Sequence, residues 1–267
     1  MLNPVTLPEL AQRFERHDVL AQALALDIAG RLNAAIDARG SASVAFSGGS
    51  TPRLLFAELA LQDIDWANVQ VTLVDDRCVP AGHERSNAGM LQRTLFATLD
   101  KRRQPTFYPL FVEGESLENC NRRLAALALP FDCLVLGMGD DAHTASFFPD
   151  AENLAGMLDL ADERLLGETR SAASIERRLT FRLPVVLRSR NVILHICGDG
   201  KWNVLQKACG ALADAHNTAN ANGNASDEDD AGLSELDFKY PILSVLRRSA
   251  LNRAGGTPVA IYHATEC

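Results

Sequence analysis

The chain has 267 residues, a length at the upper end for one domain and sufficient to bury a hydrophobic core. Apolar residues make up 47% of it and charged residues 22%, a globular composition that excludes an intrinsically disordered chain. Its formal charge of -8 argues against nucleic acid as a partner, because nucleic acid binding needs clustered Lys and Arg, and an anionic ligand must then be held by a few local cations.

The segment from Met1 to Leu20 carries acidic residues among its apolar ones, which predicts neither a signal peptide nor a membrane span. No later stretch reads as long enough to cross a bilayer, so we expect no membrane partner. The six cysteines are scattered without CxxC pairs, and several lie in apolar runs where free thiols are commonly buried. We therefore expect no disulfide framework, no structural zinc and a reducing cytoplasm as the compartment.

Runs rich in Val, Ile and Leu alternate with longer segments of helical period, which predicts a mostly parallel sheet with helices on both faces. The candidate strands are Ser43–Ser47, Val69–Asp75, Phe131–Gly137, Leu179–Leu183, Asn191–Cys197 and Val259–His263. The candidate helices are roughly 18–39, Pro52–Gln62, Ser86–Leu99, Ser116–Leu129, Lys201–Ala213 and Pro241–Arg248. We predict a single α/β domain over residues 1–267.

One segment, at about 213–233, breaks this pattern. It is rich in asparagine and ends in the acidic run Asp227 to Asp230, a composition that does not support packing. We predict a flexible surface insertion there and no second domain.

The first motif with chemical content is the string Ser-Gly-Gly-Ser-Thr-Pro at 47–52, between a predicted strand and a predicted helix. Pro52 suits a first helical position, and Thr51 or Ser50 could cap the helix. Glycines permit close approach of the backbone, and free amides at a helix start attract an anion. The string is therefore a candidate phosphate cradle, although an ordinary strand-to-helix turn uses the same residues.

The second cluster is Asp75-Asp76-Arg77 at a strand end, followed by Ser86-Asn87 at a probable helix start. Ligands in open α/β sheets collect beyond the carboxyl ends of strands, so these residues are expected near the cradle. Arg77 could clamp a phosphate, and Asp75 could orient a hydroxyl or a catalytic group. A structural ion pair explains the cluster equally well when it is taken alone.

The third cluster is a buried strand that runs through Gly137-Met138-Gly139 into Asp140-Asp141-Ala142-His143. Histidine titrates near neutral pH and is the commonest general base, so His143 is the candidate catalytic residue. A single histidine is more often structural, but a histidine on such a turn favours function. The remaining histidines have no comparable context; they are His17, His83, His195, His216 and His263.

The fourth cluster combines Arg177 to Pro184 with Gly198-Asp199-Gly200-Lys201 after the next strand. Lys201 is expected at a helix start, where it could meet a phosphate as a second cation. Each of these residues taken alone is an ordinary surface charge.

Together, the order and spacing of these clusters resemble the 6-phosphogluconolactonase family over essentially the whole chain. The matching strings are SGGSTP, DDRCVP with Ser86-Asn87 downstream, GMGDDAHTASFFP, RLT, the Gly198 to Lys201 turn, and Pro241 to Ser244. The resemblance implies a Rossmann-like fold and hydrolysis of 6-phosphoglucono-1,5-lactone in the oxidative pentose phosphate pathway. It also implies His143 as the base and no metal or other cofactor.

The roles follow from this hypothesis. The phosphate is expected to bind the loop of Ser47, Gly48, Gly49, Ser50 and Thr51. Three cations are expected to bind it as well, namely Arg77, Arg178 and Lys201. His143 takes a proton from the attacking water, and either Asp141 or Asp75 orients its ring. Backbone amides near Gly139 are candidates for stabilising the oxyanion. The partner is a small sugar phosphate lactone, and the assembly is a monomer or small homo-oligomer.

Three positions depart from the family pattern. Ala142 stands where the family usually has Gly, Asp76 where it has Glu, and Phe147 where it has Leu. Ala142 would be strained if its position needs a positive φ.

Two alternative functions stay open. Glucosamine-6-phosphate isomerases have a similar phosphate loop and histidine turn, but the string after the histidine differs from Thr144 to Pro149 here. A non-catalytic sugar-phosphate sensor would need a DNA-binding segment, and no basic helix-turn-helix precedes Val44.

Overall fold

The computed structural model describes residues 11–172, 176–221, 233–251 and 259–267. Its strands are β1 Ala11–Arg16, β2 Ala42–Phe46, β3 Val69–Leu73, β4 Asp75–Arg77, β5 Thr106–Tyr108, β6 Cys133–Leu136, β7 Leu166–Thr169, β8 Arg178–Phe181, β9 Val192–Cys197 and β10 Ala260–Glu266. Its α-helices are α1 His17–Arg39, α2 Pro52–Ala60, α3 Asn87–Thr94, α4 Leu117–Leu124, α5 Leu154–Leu158, α6 Leu183–Arg188, α7 Asp199–Ala221, α8 Glu235–Lys239 and α9 Ile242–Leu251.

Seven of these strands form one parallel sheet in the order β1-β10-β9-β6-β2-β3-β5. From β2 the chain proceeds through β3 to β5, and it then returns to place β6 on the opposite side of β2. The strand order therefore reverses between β2 and β6. In open α/β sheets the crevice outside the carboxyl ends at such a reversal is where ligands bind. The predicted Rossmann-like, mostly parallel α/β fold is confirmed.

The central strands are covered on both faces, which explains their continuous apolar sequences. Every residue of β2 and of β9 is buried. The long helix α1 contributes one buried stripe, in which Leu20, Leu24 and Ile28 follow each other at helical spacing. By length and hydropathy α1 is also long enough to cross a membrane, so the expectation that no such stretch exists is wrong. A core helix with a buried apolar face passes the same test.

A second, three-stranded antiparallel sheet has the order β4-β8-β7. Its register places Arg77 directly opposite Arg178 and Asp75 opposite Thr180. The corresponding predicted strands were Val69–Asp75 and Leu179–Leu183. The structure differs on both because the chain bends after β3 and because Leu183-Pro184 begins α6, where proline is favoured.

Three strands that the sequence analysis did not predict lack a strong apolar signal. β1 has no buried residue, and β5 has only three residues, so neither shows the alternation that marks a strand. β7 has the sequence Leu-Gly-Glu-Thr, in which Leu166 is the only large apolar residue. The structure also extends α7 through Ala221, which places the first part of the predicted insertion in a helix. Alanine at 211, 213 and 215 favours this continuation, and residues 222–232 lie outside the described residues.

One disulfide joins Cys197 to Cys267, with their Cα atoms 5.7 Å apart. Cys197 ends β9 and Cys267 follows β10, its neighbour in the sheet, so two parallel strands bring the thiols together. The expectation of unpaired thiols throughout is therefore wrong for this pair. The other described cysteines are free, and they are Cys78, Cys120, Cys133 and Cys209.

Candidate active site

Four segments that follow neighbouring strands meet at the carboxyl edge of the sheet, at the reversal of strand order. They begin at Ser47 after β2, Asp75 after β3, Gly137 after β6 and Gly198 after β9. A cavity of about 220 Å³ lies between them. Every predicted site residue except Asp141 lines it, namely Ser47, Gly48, Gly49, Ser50, Thr51, Asp75, Arg77, His143, Arg178 and Lys201.

The Ser47 to Thr51 loop is fixed by close backbone contacts. The Ser47 hydroxyl accepts a hydrogen bond from the Gly137 amide at 3.1 Å, which ties the loop after β2 to the turn after β6. A Cβ at position 48 would lie 1.9 Å from Oδ1 of Asn87, so Gly48 is required for this approach. Gly49 has φ +104°, in the region that favours glycine.

Helix α2 follows this loop, with Pro52 in its first turn. The predicted capping is wrong, because the N-cap residue Thr51 has helical dihedral angles and makes no side-chain bond to the helix. The loop hydroxyls are therefore not used as a helix cap and line the cavity instead. Unpaired amides and the positive dipole end of α2 favour an anion at this place.

Two arginines from the three-stranded sheet lie opposite each other on neighbouring strands, and both line the cavity. Burial lowers the pKa of Arg77, and the charge of Arg178 lowers it further. Arg77 donates to Oδ1 of Asn87 at 2.9 Å, and Arg178 contacts Oδ2 of Asp75 at 3.4 Å. Nε of each arginine is buried and has no hydrogen-bond partner among the described residues. Like charges opposite each other on a β-ladder repel. An anion bound beside both guanidinium groups would offset this repulsion and accept hydrogen bonds from the unpartnered Nε atoms.

Asp76 holds the start of α3 next to Arg77. Its buried carboxylate accepts hydrogen bonds from the backbone amides of Asn87 at 2.7 Å and Ala88 at 3.0 Å. These bonds satisfy two backbone amides that would otherwise be free at the start of α3. Burial raises the pKa of Asp76 to about 6, although these amides lower it in part. The shorter Asp at the family's Glu position therefore anchors α3 and holds Asn87 against Arg77 and Gly48.

His143 and Asp141 form a pair at the cavity. Nδ1 of His143 lies 2.5 Å from Oδ1 of Asp141, and the same oxygen accepts the His143 backbone amide at 3.1 Å. Burial raises the pKa of Asp141, but the hydrogen bond and charge of His143 outweigh it and lower that pKa. Asp75 instead accepts the Ser146 hydroxyl at 2.5 Å. Of the two candidate carboxylates, the geometry therefore favours Asp141 as the partner of His143.

The turn that carries His143 is tightly closed. A Cβ at Gly139 would lie 2.3 Å from the His143 ring, so only glycine fits there. Ala142 has φ +65°, a left-handed conformation that is strained for alanine and that the family's usual Gly adopts without strain. The Gly139 amide donates to the His143 carbonyl at 2.9 Å. The Gly139 amide is therefore engaged within the turn, and the other backbone amides near Gly139 stay the candidates for stabilising an oxyanion.

The Phe148 ring contacts both His143 and Arg178. Its ring centroid is 4.6 Å from that of His143, and the Arg178 guanidinium lies 5.1 Å above it. No sequence pattern predicted a role for Phe148 or for His195, which lines the cavity from inside β9. A histidine within an apolar strand resembles a core residue, and the only signal for His195 was its closeness to the Gly198 turn. No cluster of three metal-ligating side chains occurs in the described parts of the chain.

Fold and site together define an α/β protein of the Rossmann-like class, whose cavity brings a glycine-containing loop and two arginines beside a histidine–carboxylate pair. A sequence model described as glucosamine-6-phosphate isomerases/6-phosphogluconolactonase matches residues 15–225. A 6-phosphogluconolactonase of Rhizobium meliloti is 42% identical over 73% of this chain and 85% of the relative. One of Mesorhizobium japonicum is 44% identical over 68% of this chain and 77% of the relative.

Among solved structures, a 6-phosphogluconolactonase from Shewanella baltica superposes with a TM-score of 0.78 at 30% identity. The match covers 96% of this chain and 97% of that one. The chain therefore belongs to the glucosamine-6-phosphate isomerase/6-phosphogluconolactonase family.

Proposed function

We propose that this protein hydrolyses 6-phospho-D-glucono-1,5-lactone to 6-phosphogluconate in the oxidative pentose phosphate pathway. The observation that carries the proposal is the pairing of His143 with Asp141 at 2.5 Å on a cavity that also holds two opposed arginines. One half of this site suits a water-activating base, and the other half suits a phosphate. A phosphorylated lactone needs both.

Substrate binding rests on the anion site. The phosphate takes the Ser47 to Thr51 loop and the cations Arg77, Arg178 and Lys201 as its partners, all of which line one cavity. Contacts to phosphate from charged donors are stronger than neutral ones and hold the ligand in one orientation. Binding energy from this remote group places the lactone carbonyl next to His143.

The chemical step uses the free nitrogen of His143. Because Nδ1 faces the Asp141 carboxylate, it carries the ring proton, and Nε2 is left as the proton acceptor. Nε2 takes a proton from water as the water oxygen attacks the carbonyl carbon. The tetrahedral intermediate then breaks the bond to the ring oxygen, which receives the proton from Nε2. The product carboxylic acid ionises and releases one proton to the solvent.

Asp141 acts through His143 in this scheme. Its negative charge stabilises the imidazolium that forms while the proton is held on Nε2, as the acid does in hydrolase triads. Phe148 packs against the same ring and limits its rotation. The scheme assigns no step to a metal, and an assay in excess chelator tests that assignment.

The alternative activity in the same family is isomerisation of glucosamine 6-phosphate. The phosphate half of the site serves both substrates, so it does not separate them. We favour the lactonase because the string from Thr144 to Pro149 departs from the isomerase pattern and because relatives that are 30%, 42% and 44% identical to this chain bear the lactonase name. A sugar-phosphate sensor would bind the ligand without turnover.

The remaining assignments are part of the proposal. We infer one domain over 1–267, no nucleic acid or membrane partner, and a monomer or small homo-oligomer in the cytoplasm. A reducing compartment would convert the Cys197–Cys267 disulfide to two free thiols.

The test compares both substrates directly. Freshly prepared 6-phosphoglucono-δ-lactone should release acid well above its spontaneous rate, while glucosamine 6-phosphate should not be converted. Conversion of glucosamine 6-phosphate without lactone hydrolysis would support the isomerase, and binding without either turnover would support the sensor.

A further inference from the structure

His195 is a buried polar residue at the phosphate end of the cavity. It lies in β9, three positions before the Gly198 turn, and its exposed fraction is 3%. It lines the cavity together with Thr51 and Lys201. Its Nε2 atom is buried and has no hydrogen-bond partner among the described residues. A buried polar nitrogen without a partner is destabilising, so a bound ligand that completes its hydrogen bond would remove this penalty.

The surroundings of His195 keep its ring neutral. Burial lowers its pKa to about 3, and the nearby His17 and the Lys201 charge act in the same direction. The His17 ring lies 5.5 Å from it, measured between centroids, at the first position of α1. Burial also lowers the pKa of His17, partly offset by hydrogen bonding to the Thr51 backbone. A neutral imidazole has one N–H donor and one acceptor, so it can still donate to an anion.

We propose that His195 is a further phosphate-binding residue, whose neutral imidazole donates a hydrogen bond to the phosphate monoester held between the Ser47 to Thr51 loop and Lys201. The inference rests on the proposed function and deepens it. The His17 ring packs against the His195 ring, with centroids 5.5 Å apart, and lies beside the Thr51 backbone. A donor without charge adds specificity for phosphate without adding to the repulsion among the three cations.

The neighbouring strand offers a matched control. His263 is fully buried in β10, next to β9, and stacks on Trp202 with ring centroids 4.8 Å apart. It is not among the described residues that line the cavity. Replacing His263 therefore reports the effect of altering a buried histidine in this sheet, whereas replacing His195 also removes the proposed donor.

The kinetic test uses His195→Phe, His195→Gln and His263→Phe with 6-phosphoglucono-δ-lactone and with unphosphorylated glucono-δ-lactone. We expect His195→Phe to raise KM for the phosphorylated lactone by about ten- to a hundredfold, the effect of losing one hydrogen bond to a charged group. Its kcat and its KM for gluconolactone should stay within about twofold of wild type, which loss of one ground-state contact predicts. His195→Gln keeps an N–H donor and should recover part of the loss. Equal effects of His195→Phe and His263→Phe would overturn the proposal.

A second measurement on the wild-type protein does not depend on variant folding or on turnover. The His195 imidazole nitrogen resonances should shift saturably on titration with 6-phosphogluconate and stay unchanged with gluconate. Unchanged resonances at saturating 6-phosphogluconate would overturn the role of His195. If the shift occurs but the wild-type protein hydrolyses no lactone, the proposed activity fails and the phosphate site stands.

Discussion

Replacing Asp141 by Asn tests which carboxylate supports the base. The change keeps the size of the side chain and an oxygen that can accept the His143 amide, but it removes the negative charge 2.5 Å from Nδ1. We expect kcat to fall and KM to stay nearly constant, because the charge acts on the imidazolium that forms during the reaction and not on the bound phosphate.

The size of the effect follows from the geometry. A hydrogen bond to a charged group contributes about 1.5–3 kcal/mol, and about 1.4 kcal/mol corresponds to a tenfold change in rate. The Asp141 side chain is 50% exposed and the His143 side chain 29% exposed, so solvent screening reduces the effect. We therefore expect a fall in kcat of about ten- to fiftyfold, smaller than the loss on removing a general base.

Two comparison variants make the assay decisive. Asp140→Asn changes an exposed neighbouring carboxylate and should leave acid release from fresh lactone unaltered. Asp75→Asn weakens the contact with Arg178 at 3.4 Å and should act mainly on KM. The reasoning would be refuted if Asp141→Asn kept more than about half of the wild-type kcat, a far smaller loss than one charged hydrogen bond implies, while Asp75→Asn lost most of it at unchanged KM.

Three further predictions concern stability and binding. Ala142→Gly relieves about 1–2 kcal/mol of left-handed strain but loses a buried methyl and gains unfolded-state entropy, so chemical denaturation should show a net change within about 1 kcal/mol; a larger gain would mean that Ala142 is poorly accommodated. Arg77→Ala combined with Lys201→Ala should raise KM for the phosphorylated lactone by about 10²- to 10⁴-fold, from two charged contacts, and leave gluconolactone unaffected; a retained preference would place the anion site elsewhere. Between its unfolded pKa of 6.5 and its folded pKa of about 3, His195 binds more protons in the unfolded protein than in the folded one. Its contribution to the free energy of unfolding is therefore complete above pH 6.5 and is lost below that pH by up to about 1.4 kcal/mol per pH unit. Denaturation midpoints measured between about pH 7 and about pH 4.5 should fall more steeply with decreasing pH for wild type than for His195→Phe. The opposite contribution of Asp76 is present in both proteins and cancels in this comparison, and equal slopes would contradict the prediction.

Local sequence patterns were sufficient to predict the core of the fold. The strands at 42–46, 69–73, 133–136 and 192–197 are rich in apolar residues and almost fully buried, because both faces of a parallel sheet are covered. The order of the motifs along the chain then placed them at one edge. Strands such as β1 pair through the backbone with few apolar side chains, and therefore they leave little trace in a single sequence.

The part of the site that sequence analysis could not predict depends on pairing between distant segments. Arg77 and Arg178 face each other only because β4 pairs with β8, about 100 residues apart in the chain, and pairing at that distance has no local signal. The choice between Asp141 and Asp75 needed the turn geometry around Gly139. His195 needed the position of its ring at the cavity wall.

The measurement that tests the central claim most directly is acid release from fresh 6-phosphoglucono-δ-lactone by wild type and His143→Asn, both assayed in excess chelator. We expect the wild-type rate to be unaffected by the chelator and the variant to lose about 10²- to 10⁴-fold in kcat with little change in KM, as for a lost general base. A wild-type rate that collapses in chelator and returns with one divalent ion, or a variant that keeps more than about a tenth of the wild-type rate, would contradict the assignment of His143 as the metal-independent base.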